Sequence, residues 1–203
     1  MQAEFHRTDG RGGYAVIIRR DDGLTVRLPG YDRKWRVPHD LAHFVAEREF
    51  RLDKGVFGSI AAGAMFSNMA VVDGRQRFDA QVRSRAVLRA HTAEIGIAEL
   101  VAGVVHQGVE REERFEDVLA RLREAWGTVR PGPCPYHPET LRRVLAILAA
   151  LAQRWQALPE GERLTLRWSL PVEVSAGDRV AVAPGRTGRP ALARRTGRTL
   201  HSR

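Results

Sequence analysis

The run Val37-Pro38-His39-Asp40-Leu41-Ala42-His43-Phe44-Val45-Ala46-Glu47 restricts the possible folds more than any other stretch. Proline lacks a backbone N–H, a loss that costs nothing at the first helical position, so a helix is predicted to start near His39. On a wheel of about 100° per residue, Leu41, Phe44, Val45 and Leu52 form a core-facing stripe. His39, His43, Ala46, Glu47 and Phe50 fall on the other side, which is too apolar to be plain solvent surface. A helix apolar on two sides is predicted to lie between layers. The histidines then look into a half-buried cleft, where their rings need partners.

One of those layers reads as a sheet. Gly13 to Arg20 alternates Tyr14, Val16 and Ile18 with Ala15 and Ile17, and Leu24 to Leu28 follows after Asp21-Asp22-Gly23. Asp-Gly between two such runs predicts a hairpin. Two strands alone are marginally stable. The alternating segment Arg163 to Leu170 is therefore expected to complete a small three-stranded antiparallel sheet.

The remainder reads as helices. Gly55 to Phe66 is apolar and predicted to form a buried helix on the histidine helix, with Gly58/Ala62 and Ser59/Gly63 spaced for close backbone approach. It meets Ser67-Asn68 long before the roughly 20 apolar residues that a membrane span needs. Phe78 to Ala90 is a basic amphipathic helix carrying Arg83, Arg85 and Arg89. Such a face can hold phosphate, but Asp79 and Glu94 temper it, and it reads as a solvated charged face. Ile95 to Val105 is apolar. The charge run Glu110 to Arg114 is expected to open a helix bearing Phe115, Val118, Leu119, Leu122 and Trp126, which Pro131, Pro133 and Pro135 end. Pro138 starts a last helix through Leu141, Val144, Leu148, Leu151 and Trp155, giving a helical hairpin in which both tryptophans are core residues.

The expected class is α+β: a mostly helical single domain over 1–171 with a small sheet, and a flexible Arg/Gly/Pro-rich tail over 172–203. Of the formal charge of +9, the tail holds seven arginines against Glu173 and Asp178. Its composition is that of a disordered segment, and charge alone gives it some affinity for nucleic acid. No nucleic-acid contact is expected elsewhere, and no membrane partner. The single cysteine, Cys134, rules out an internal disulfide, and Met1 to Arg7 has no apolar signal core, so a cytoplasmic protein is expected.

The chemistry is concentrated in one pair. His39 and His43, four residues apart, sit one turn apart on one helix face and can both reach a single metal ion. At the helix start the dipole disfavours the imidazolium of His39, leaving the neutral form that binds metal. Zinc is the expected ion. A catalytic zinc site usually takes three protein ligands, and the third is sought among Glu94, Glu99, His91 and His106. Glu47 lies about 12 Å along the axis from His39, too far to join both histidines. Asp40 is assigned as catalytic base or as a group orienting the ligands. An activated water in the open position makes hydrolysis the natural reaction class. The competing expectation is a non-catalytic interaction or adaptor protein whose histidines are structural, each donating to a carbonyl or to an acid such as Glu47. The partner in either case is an unidentified small molecule or protein.

The motif resembles the zinc-peptidase signature His-Glu-x-x-His, with Asp40 in the glutamate position. As His-Asp-x-x-His it resembles the zinc motif of a coenzyme-Q-biosynthesis family, in which a glutamate follows about a dozen residues on; here Gly55 stands near that distance and Asp53 slightly before it. A longer run, Arg36 to Phe66, resembles a group of small uncharacterised bacterial proteins with a Pro-His-Asp-Leu-x-His-Phe core, a similarity that implies a shared fold and names no activity.

Overall fold

The computed structural model describes residues 1–8, 13–30, 35–159 and 161–170. The expected tail from Val172 to Arg203 lies outside them. The chain is α+β, and its sheet has five antiparallel strands, in the order β4-β3-β2-β1-β5: β1 (Gln2–Arg7), β2 (Tyr14–Arg19), β3 (Thr25–Gly30), β4 (Ala70–Asp73) and β5 (Arg163–Arg167). The β2–β3 hairpin forms as expected, with Val16 opposite Leu28 and Ile18 opposite Val26. The sequence pattern predicts three strands where five stand. Strand β1 hides its alternation in six residues, with Ala3 and Phe5 on the core face and Gln2, Glu4 and His6 on the other, where Glu4 is buried too. Strand β4 is a four-residue edge, mostly exposed, with too little apolar pattern to register. The late strand β5 pairs with β1, Phe5 opposite Leu164, and not with the hairpin.

The described residues also form six helices. Helix α1 (His39–Phe50) starts at the predicted residue and is buried from Leu41 through Glu47. Phe44 meets Phe5 of the sheet edge-on, as well as Phe57 and Trp168, while α4 (Thr92–Glu110) and α6 (Pro138–Gln156) pack on α1 from elsewhere. This is the two-sided burial that the sequence pattern demands. Small residues Ala98 and Ala102 on α4 let the α1 and α4 backbones approach, and both are fully buried.

Two helical expectations are corrected. The span Gly55 to Phe66 yields only α2 (Val56–Ala61), because the chain turns at Gly63 with φ +105°. Its glycines serve close approach of another kind: a Cβ on Gly58 would collide with the backbone of Asp53, and one on Gly55 with the Glu47 carboxylate. The charge run Glu110 to Arg114 does not open a helix. Glu110 finishes α4, Glu112 takes a left-handed turn at φ +53°, and α5 (Phe115–Val129) begins one residue after Arg114. Glu113 instead reaches forward to pair with Arg121 on α5. Helix α3 (Ala80–Ala90) stands where the basic amphipathic pattern predicts it, and Pro138 starts α6, with the His137 ring accepting from the Glu139 N–H at 3.2 Å. Among the described residues no helix is long and apolar enough to cross a membrane.

Candidate metal centre

The approach to α1 is tied to the far end of α4. The Glu110 carboxylate accepts from the backbone N–H groups of Arg36 and Val37 at 3.1 and 3.0 Å, and His106 Nε2 donates to the Val37 carbonyl at 2.9 Å. These bonds fix where α1 begins, and so fix His39 against α4.

One turn in, His43 is nearly inaccessible, at 2% exposure, and Glu47 is wholly buried. His43 Nδ1 lies 3.0 Å from Glu47 Oε1, and His43 Nε2 lies 3.1 Å from Glu99 Oε2 on α4. His39 Nε2 approaches the same Glu99 oxygen at 3.7 Å, and the two imidazoles meet edge to face at 4.8 Å. One ligand atom from each of His39, His43 and Glu99 therefore lies within 4.8 Å of the others. Bonds of 2.0–2.1 Å at tetrahedral angles put two zinc ligands about 3.3 Å apart. Small side-chain adjustments close that difference. His39, at 35% exposure, and Glu99, at 55%, form the solvent side of the cluster, while His43 forms its buried side.

Glu47 has a second task. Its Oε1 also accepts from the Val56 N–H at 2.9 Å, and Oε2 accepts from those of Phe57 at 2.9 Å and Gly58 at 3.3 Å. These are the orphan donors at the start of α2, which has no side-chain cap of its own. The carboxylate thus joins α1 to α2, and the absence of a side chain at Gly55 leaves it room.

Charge follows from these partners. Burial works against the His43 cation, but the hydrogen bonds to Glu47 and Glu99 outweigh it, and the imidazole is pushed up to about 9. The dipole argument made for His39 is not what governs the ring one turn further in. Glu99 is held well below the usual carboxylate range by its hydrogen bonds to His39 and His43. Burial pushes the Glu47 carboxyl up, against the His43 ring and the backbone donors of Gly58 and Val56. Its ionisation depends on those donors.

Of the four remote ligands proposed from sequence, Glu99 joins the pair. His106 stacks edge-on against His39 at 5.3 Å, its Nε2 engaged by the Val37 carbonyl. His91 faces elsewhere, its Nδ1 2.9 Å from the buried Ser59 hydroxyl. Glu94 is outside the cluster. Asp40 is also outside the three. Tyr14 of β2 donates to its Oδ2 at 2.9 Å and accepts from its backbone N–H at 3.2 Å. Burial pushes the Asp40 carboxyl up, partly countered by that tyrosine and by the charges of His43 and His39. Sequence reasoning missed the Tyr14–Asp40 pair, which joins residues 26 positions apart. It missed the Glu47 cap as well, whose one local sign is Gly55 placed where α2 begins.

Comparison with known proteins finds no matching family, no matching curated relative and no matching solved structure.

Proposed function

We propose that His39, His43 and Glu99 bind a divalent cation, zinc foremost, and that the protein is a hydrolase-like enzyme acting at that point. The observation that carries this reading is the pair of bonds on His43. Ligating histidines characteristically give one ring N–H to a carboxylate, which fixes the tautomer, and turn the other nitrogen to the metal. Glu47 supplies the buried carboxylate for Nδ1, and Nε2 faces the oxygen that His39 also faces. Two imidazoles and a carboxylate with a solvent side are the donor set of a catalytic zinc site. A cation there supplies Lewis acidity and lowers the pKa of a bound water. His39, His43 and Glu99 hold it, Glu47 orients His43, and Asp40, anchored by Tyr14, is the neighbouring carboxyl suited to accept or return a proton. The lone free Cys134 supports a cytoplasmic setting.

A second reading has its own support. Both ring nitrogens of His43 and both oxygens of Glu47 have partners within the chain, as structural residues of an interaction protein would. Elemental analysis of untagged protein after zinc exposure and dialysis separates the two. The metalloprotein holds one equivalent and loses it in His39→Ala, His43→Ala and Glu99→Ala. Glu99 is half exposed, so its variant tests the site without emptying the core. Metal well below one equivalent in the wild type, or unchanged content in all three variants, favours structural histidines.

A further inference from the structure

Away from the histidines, the β2–β3 turn, the end of α2 and the start of α3 enclose a cavity of about 430 Å³. Four arginines line it, Arg20, Arg75, Arg77 and Arg83, against one acid, Asp22. We propose that this cavity is a binding site for adjacent phosphate groups, carried by a free oligophosphate or by a polynucleotide backbone.

The arginines differ in how they are held. Arg20, only 8% exposed, is gripped at two points by Asp22, with Nε 3.1 Å from Oδ1 and a terminal nitrogen bonded to Oδ2; Asp22 is itself fixed by the Leu24 N–H at 3.2 Å. This guanidinium is set in place before any ligand arrives. Arg77 is braced by Asp79, Nε to Oδ1, at 3.2 Å. Arg75 and Arg83 hydrogen-bond to no carboxylate among the described residues, although the charge of Arg83 is felt by Asp79. Like charges gathered around a concavity repel one another, and an anion in the middle removes that cost. Arginine forks match phosphate oxygens two at a time.

The backbone adds to this. Ala80, the first residue of α3, is on the wall; its own N–H bonds to the Arg77 carbonyl and that of Arg83 to the Asp79 carbonyl, while the N–H groups of Gln81 and Val82 have no acceptor within their own helix. That end of the dipole favours an anion. Small residues keep the wall clear: Ala61 and Ala62 line it, and Gly63, at φ +105°, stands where a Cβ would come within 3.4 Å of the Arg20 guanidinium. Phe78, next to Arg77 in the chain, is fully exposed and offers a ring on which a base can stack.

The test is calorimetric titration at low salt with pyrophosphate, tripolyphosphate and a short single-stranded oligonucleotide. Saturable binding that weakens with added salt is expected for at least one probe. Arg75→Ala and Arg83→Ala, both surface changes, should each weaken it roughly tenfold, the effect of losing one charge-assisted hydrogen bond. Arg123→Ala on the exposed face of α5 should leave it unchanged. If a polynucleotide is the natural source, Phe78→Ala weakens the oligonucleotide and spares the free anions; if an oligophosphate is, Phe78→Ala changes nothing. No saturable binding of any probe, or equal weakening by Arg123→Ala, overturns the proposal.

Discussion

Helices α1 and α3 are nearly equal in length, twelve residues against eleven, and opposite in setting. Helix α1 buries eight residues between the sheet and its helical neighbours, whereas α3 buries one, Ser84. On α1 His43 and Glu47 are desolvated, and each also bonds to another element, His43 to Glu99 of α4 and Glu47 to the backbone of α2. On α3 the charges face water, and the helix is anchored chiefly by the Ser84 hydroxyl, which bonds both the N–H and the carbonyl of Met65. A fixed array of donors suits a small ion, which needs its ligands placed before it binds. A loosely held basic helix suits an anion that supplies the missing charge itself.

That contrast breaks first at Glu47. Glu47→Ala leaves the His43 cation buried without its closest partner and uncovers the donors of α2, at a cost of roughly 3–5 kcal/mol. Chemical denaturation should show it, and Glu47→Gln, which keeps the shape and some of the bonds, should fall in between. A loss below about 1 kcal/mol in the alanine variant would mean that α1 is held by apolar packing alone.

The next effect is in pH. The folded-state pKa of His43 lies above its ordinary value of 6.5, at about 9. Its contribution is therefore fully present below pH 6.5 and disappears as pH rises through 9. For metal-free protein the loss across that window is about 3 kcal/mol, since each tenfold change in the acid constant is worth about 1.4 kcal/mol. Denaturation midpoints measured from about pH 6 to 10 should decline in the wild type and stay level over the same window in His43→Gln. A level wild-type profile would show that the ring is neutral when folded.

The smallest effect belongs to α3. Ser84→Ala removes two hydrogen bonds at its only buried position and should cost about 1 kcal/mol, with faster amide exchange along Ala80–Ala90. Arg85→Ala on the same helix should stay within about 0.5 kcal/mol. Global destabilisation by Ser84→Ala as large as that of Glu47→Ala would erase the distinction between the two helices.

How much of this is legible in the sequence differs by residue. The start of α1 is, because Pro38 carries a geometric rule, and so is its two-sided burial, because Leu41, Phe44, Ala46 and Phe50 surround it. The hairpin is legible through Asp22-Gly23. The outer strands are not: β1 and β4 are short, and their place depends on partners distant in sequence. Glu99 is one of four remote candidates, and only the packing of α4 on α1 selects it, since a single carboxylate in the apolar stretch Ile95 to Val105 carries no address. Glu47 is visible as a possible acid for His43 by its spacing. Its bonds to Val56, Phe57 and Gly58 arise from a turn that no periodicity describes. The cavity arginines are scattered from position 20 to position 83, and folding alone gathers them.

The bonds from Glu47 to the backbone of α2 give the centre a built-in spectroscopic reporter. The amide protons of Val56 and Phe57 are held by the same carboxylate that holds His43. If a metal takes the far nitrogen of that ring, as proposed, the electron density on the carboxylate would shift, and the resonances of these two amides would move with it. Their signals can be followed in an ordinary nitrogen-correlated spectrum with no substrate in hand, so a zinc titration read at these two amides would test the proposed metal binding independently of any reaction.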